Sequence, residues 1–123
     1  MFPPRSVSCW EADMCIFCQI VKKEIPASIV YEDDHVLAFN DIAPQAPVHI
    51  LVIPKVHIDC LAAVRDHSIF AGLMEIVNKV ATEKGIDKSG FRTVINNGRA
   101  AGMAVDHLHI HVLGGRGFSW PPG

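Results

Sequence analysis

Asp106-His107-Leu108-His109-Ile110-His111-Val112 alternates imidazole and apolar side chains. A period of two is the signature of an extended strand, whose successive side chains point to opposite faces. The segment predicts a strand over residues 106–113, with His107, His109 and His111 on one face and Leu108, Ile110 and Val112 on the other. The apolar face demands a core. The other face gathers three groups that are nucleophiles, proton carriers and metal ligands near pH 7.

That core must come from 123 residues, half of them hydrophobic. This suffices for one domain without disulfide staples. A formal net charge of -2 supplies no basic stripe, so no nucleic-acid partner is expected. No run of about 18 apolar residues predicts a membrane span. Residues 1–13 read as a flexible N-terminal extension without the apolar run of a secretion signal. Met14 is an alternative natural start, and the domain is placed at residues 14–123. Four cysteines, Cys9, Cys15, Cys18 and Cys60, suit a reducing, cytoplasmic setting. There the Cys15-Ile16-Phe17-Cys18 spacing reads as half a zinc site, ahead of a redox pair.

Ile16, Phe17, Ile20 and Val21 fall at helical spacing and predict a short helix over 15–23, ended by Pro26. Strands are predicted over 28–32, 36–39, 48–53 and 91–96. The one long helix, about 67–84, carries Ile69, Leu73, Ile76, Val77 and Val80 on its apolar stripe. Asp66 or Ser68 could cap its start and Gly85 suits its end. Five strands and these helices predict an α+β fold on an antiparallel sheet.

Three same-face imidazoles allow metal chelation, nucleophilic attack on phosphorus, or a structural role with backbone partners. Just upstream, Gly98 and Gly102 with Ala100, Ala101 and Ala104 form a small-residue loop whose amides could cradle phosphate, or a simple flexible turn. Asp41 reads equally well as a turn-forming aspartate ahead of Pro44.

The HLHIHV segment resembles the signature of the histidine triad (HIT) family, in which histidines alternate with apolar residues. Upstream, CIFCQIVKKEIPASIVYEDDHVLAFNDIAPQAPVHILVIPKVHI is similar to the family's nucleotide-binding HINT-like branch, and the end HVLGGRGFSWPPG matches as well. The resemblance covers about residues 15–123. It implies a HIT fold: a five-stranded antiparallel sheet with one long and one short helix, pairing into a continuous sheet across a homodimer. It further implies a hydrolase cleaving the P–N bond of purine nucleoside 5′-phosphoramidates of the AMP or GMP type. His109 would attack the α-phosphorus and form a nucleotidyl-histidine intermediate, His111 would hydrogen-bond the phosphoryl oxygens, and the carbonyl of His107 would orient His109. His49 matches a histidine beside the triad. Asp41 matches the acceptor of the ribose hydroxyls, and Ile16, Phe17, Phe39, Ile42 and Leu51 match an apolar base pocket. Asn96 matches a polar residue near the phosphate or leaving group, and Gly102 and Ala104 lie on the phosphate loop.

The same resemblance implies a structural zinc held by Cys15, Cys18, His57 and His107, with no catalytic metal required. One departure stands out. The family usually carries a polar run such as Gly-Gln-Ser where this chain has Gly102-Met103-Ala104, so the hydroxyl that would serve the phosphate or leaving group is missing. Two alternatives therefore stand beside the hydrolase: a non-catalytic nucleotide-binding regulatory or scaffold protein, and a metal-dependent enzyme using the histidine face directly.

Overall fold

The structure, a computed structural model, describes residues 15–123. The expected extension over 1–13, with Cys9, and the alternative start at Met14 lie outside the described residues. Five strands form one antiparallel sheet in the order β1-β2-β3-β5-β4. They are β1 (Ile29–Glu32), β2 (Val36–Asn40), β3 (Val48–Pro54), β4 (Phe91–Val94) and β5 (Ile110–Gly114). A short helix α1 (Ile16–Val21) precedes the sheet, and a long helix α2 (Ile69–Glu83) connects β3 to β4. Among the described residues no helix is long and apolar enough to cross a membrane.

The two helices cover opposite faces of the sheet. Val36, Ala38, Ile50, Val52, Ile110 and Val112 pack with Leu73, Ile76, Val77 and Val80 of α2. The alternate residues Leu37, Phe39, Leu51 and Ile53 pack with Phe17 and Ile20 of α1. The middle strands are thus buried on both sides, which is why β2 and β3 read as continuous apolar runs. On β5 Ile110 and Val112 face α2 and His111 faces the α1 side, as the alternation predicts.

Each predicted element exists, with shifted ends. α1 stops at Val21, well before Pro26. Lys23 adopts φ 65°, and the amides of Lys23 and Glu24 donate back to the carbonyls of Ile20 and Gln19, the Schellman closure with lysine in the usual glycine place. α2 ends the same way, with Gly85 at φ 73° and Ile86 N–H donating to Ala81 O. At its start the Asp66 carboxylate accepts from both the amide and hydroxyl of Ser68.

The largest shift is in the histidine strand. β5 begins at Ile110, four residues later than the alternation suggests. β3 pairs Val52 with Ile110 and reaches Pro54 two residues on. Proline has no N–H to continue the ladder. Leu108 N–H instead donates to Ile58 O at 2.7 Å. His107 and His109 therefore sit on a stretch leading into the strand, outside the ladder, where their backbone groups can serve side chains. At the other end Gly114 is required by close approach: a Cβ there would lie 2.6 Å from Ile86 Cδ1.

Candidate functional site

His109, next to β5 and beneath Phe17 of α1, is buried, and its Nδ1 lies 2.6 Å from the carbonyl oxygen of His107. A carbonyl only accepts, so the ring donates Nδ1–H and the lone pair stays on Nε2. This is the orientation the resemblance implied for a nucleophile. The Phe17 ring meets His109 edge-on at 5.2 Å between centroids and Phe39 at 5.5 Å. Neighbouring His111 lies 4.9 Å away, ring centre to ring centre.

The tautomer of His111 follows from its partners. Gln45 N–H donates to His49 Nδ1 at 3.0 Å, so neutral His49 carries its proton on Nε2. That nitrogen is 2.9 Å from His111 Nδ1 and 3.5 Å from Asp41 Oδ2. His111 accepts on Nδ1 and keeps its own proton on Nε2. The pair His109–His111 thus presents one lone pair and one N–H. Burial, with repulsion from His109 and His49, pushes His111 down to about 4; burial also lowers His49 despite the Asp41 carboxylate. Both are neutral at pH 7. Asp41, His49 and His111 could also be viewed as a metal-ligand trio, their donor atoms being within 4.8 Å of one another. Their hydrogen bonds account for that closeness, because the nitrogens facing the trio's centre already share a proton.

Asp41 takes the turn-forming role weighed from the sequence. Its Oδ1 closes a turn by accepting from Ala43 N–H at 2.8 Å, while Oδ2 faces His49. Phe17, Phe39 and Leu51 are buried in one cluster with Val105. Ile16 is partly exposed at 44%, and Ile42 stands 97% exposed at the rim. Asn96 is half-buried two residues beyond Val94, the β4 partner of His111.

In the loop before the histidines, Gly98 and Gly102 take φ of 90° and 89° around a 3-10 turn, Arg99–Ala101. Gly102 N–H donates to Arg99 O and Met103 N–H to Gly98 O, so these amides close the loop on itself. Buried Met103 anchors it, and Arg99 grips the Met103 carbonyl and both carboxylate oxygens of Asp106. Ala104 is exposed.

A second cluster joins the first through His107. Cys15, Cys18, His57 and His107 bring four donor atoms within 4.8 Å of one another. Cys15 Sγ is 3.4 Å from His107 Nδ1, and Cys18 Sγ is 3.6 Å from it and 3.2 Å from His57 Nδ1. A tetrahedral zinc with its usual bond lengths sets sulfur–nitrogen edges of about 3.5 Å, so the four fit. The far nitrogens agree: His57 Nε2 is 2.8 Å from Asp59 Oδ1 and His107 Nε2 is 2.9 Å from Pro54 O. Both donate outward and aim Nδ1 lone pairs inward, the arrangement metal-bound histidines adopt. Burial pushes the Cys18 thiol up to about 12, so it would become a thiolate ligand only with a cation at the centre. Burial likewise pushes His107 down to about 4, leaving it neutral and able to ligate.

Sequence reading missed Asp59, Gln45, Pro54 and Arg99. The His57-x-Asp59 spacing was a usable signal for the first. The others act through main-chain atoms or loop closure, which residue identity does not announce.

The HIT domain family model matches residues 22–118. An uncharacterised HIT-like protein of Synechococcus elongatus is 56% identical over 110 residues, covering 88% of this chain and 96% of that protein. A 14 kDa zinc-binding protein of Brassica juncea is 50% identical over 113 residues, covering 88% and 98% respectively. The crystal structure of a HIT family hydrolase from Legionella pneumophila matches with a TM-score of 0.86 at 45% identity, covering 89% of this chain and 99% of that one.

Proposed function

Because the chain belongs to the HIT domain family, we propose that it is a nucleotide-binding hydrolase. Its substrates are purine nucleoside 5′-phosphoramidates of the AMP or GMP type. The observation that carries this reading is the 2.6 Å contact from His109 Nδ1 to His107 O, which leaves Nε2 as a free lone pair beside a donor on His111. His109 Nε2 attacks the α-phosphorus, the P–N bond breaks, and the amine departs taking up a proton. A nucleotidyl-histidine remains until water releases the nucleoside monophosphate. His111 Nε2–H holds the phosphoryl oxygens, where charge gathers in the transition state. Asp41 accepts from the ribose hydroxyls, and Ile16, Phe17, Phe39, Ile42 and Leu51 receive the base. Asn96, Gly102 and Ala104 border the phosphate. In the decisive experiment, His109→Ala abolishes hydrolysis of an AMP amidate while AMP still binds by calorimetry. Equal turnover in that variant overturns the reading.

Ala104 favours a second reading, a non-catalytic nucleotide-binding regulator. It is exposed and offers the leaving group no hydroxyl. AMP binding without turnover of any phosphoramidate would select that reading. If the hydrolase reading holds, Ala104→Ser raises kcat/KM by up to about 10²-fold, the worth of one transition-state donor.

The same proposal includes a structural zinc on Cys15, Cys18, His57 and His107. Bound there, the ion would tie α1 to the segment leading into β5. A homodimer would cover one of the sheet's two edge strands, β1 or β4; sedimentation equilibrium reads its mass. A reducing, cytoplasmic compartment fits the free thiols of Cys15, Cys18 and Cys60; cell fractionation tests it.

A further inference from the structure

We propose that Arg116 is a positioning residue: acting through the main chain of Gln45 and the ring of His49, it determines which nitrogen of His111 carries the proton. The inference rests on the hydrolase reading for its kinetic consequence, and on geometry alone for its structural one.

The chain of contacts is short. Arg116 Nε–H donates to Gln45 O at 3.0 Å. The amide of the same residue donates to His49 Nδ1 at 3.0 Å, and His49 Nε2 stands 2.9 Å from His111 Nδ1. The carbonyl and amide of Gln45 are separated only by that residue's own φ and ψ, and Pro44 and Pro47 stiffen the chain on either side, so a held carbonyl restricts where the amide can point. The Gln45 side chain adds a third tie, Nε2–H to Ala43 O at 3.0 Å.

Arg116 is itself held in place. Its Nη1 donates to Gly117 O at 3.0 Å, and its guanidinium lies 4.2 Å over the Phe118 ring. Phe118 also takes the Arg92 guanidinium at 5.0 Å, and Arg92 Nη2 donates to Ser119 O. Gly115 turns at φ 87° so close to the loop that a Cβ would lie 2.9 Å from Pro47 Cβ. The segment after β5 is therefore clamped against the loop that supplies the Gln45 amide.

The proton logic has two states. With the Gln45 amide on Nδ1, His49 is Nε2–H, His111 accepts on Nδ1 and presents Nε2–H to a phosphoryl oxygen. If that amide drifts away, His49 can hold its proton on Nδ1. The proton between the rings must then belong to His111 Nδ1, and His111 would offer the phosphoryl oxygen a lone pair. One displaced amide thus turns a donor into a repulsive acceptor.

The test is long-range ¹H–¹⁵N NMR of the histidine rings in the protein as purified, wild type against Arg116→Ala. The wild type should show His111 protonated on Nε2. Arg116→Ala should show averaged nitrogen shifts at His49 and His111, and kcat for an adenosine 5′-phosphoramidate should fall about ten-fold. Unchanged nitrogen shifts in folded Arg116→Ala overturn the inference. If that variant does not fold, Gln45→Pro removes the amide donor directly. The same averaging is then expected, and its absence is equally fatal. Averaging in the variant, with no turnover by wild type, supports the inference while overturning the hydrolase reading.

Discussion

His109 and His111 carry the same side chain two residues apart, and their neighbours give them opposite roles. A carbonyl beside one Nδ1 leaves a lone pair on Nε2; an N–H beside the other leaves a donor. Burial holds His111 neutral, and that has a consequence for stability. His111 titrates at about 4 in the fold, against 6.5 when free of it. Below 6.5 the unfolded chain takes up a proton that the folded chain refuses, which favours unfolding. This contribution is complete above pH 6.5 and is lost as the pH falls toward 4. Thermal melts should show a flat Tm from neutrality to about pH 6.5 and a decline below it. His111→Gln should make that decline shallower; an unaltered slope would assign it to other groups.

At the scale of elements, α2 closes one face of the sheet, while the other carries α1 and the histidines. Its stripe is legible from spacing alone, and its observed span, Ile69–Glu83, lies inside the predicted one. Leu73 is 1% exposed against that face. Leu73→Ala should cost about 2–5 kcal/mol in urea unfolding; a loss well under 1 kcal/mol would mean the helix is loosely seated. β5 was less legible. Alternation over residues 106–112 shows an extended chain, but a ladder also needs a partner. That partner runs out at Pro54, so the hydrogen-bonded strand starts only at Ile110.

Across the whole molecule, His107 links two centres. Its ring joins the Cys15–Cys18–His57 cluster and its carbonyl orients His109. The cluster draws on α1, the segment after β3 and the approach to β5, so a metal there would hold distant parts of the chain together. Purified protein should contain about one zinc per chain, and a strong chelator should lower Tm, because a ligand bound only to the fold stabilises it. Cys15→Ser should lose the metal. An unchanged Tm after verified metal removal would strip the cluster of a structural role.

The sequence by itself determined the two-faced character of the histidine segment, the helices, the strands and the family, since periodicity and motif spacing are local properties of the chain. It also brought the two cysteines and two histidines of the second cluster together through that resemblance. Only the tertiary structure decided the tautomers. Those depend on which main-chain atom comes within about 3 Å of each ring nitrogen, and the amide of Gln45 and the carbonyl of His107 carry no mark of that role in their side chains. The hold of Arg116 on Gln45 is of the same kind, a contact across 71 residues of sequence that exists only once the sheet has folded.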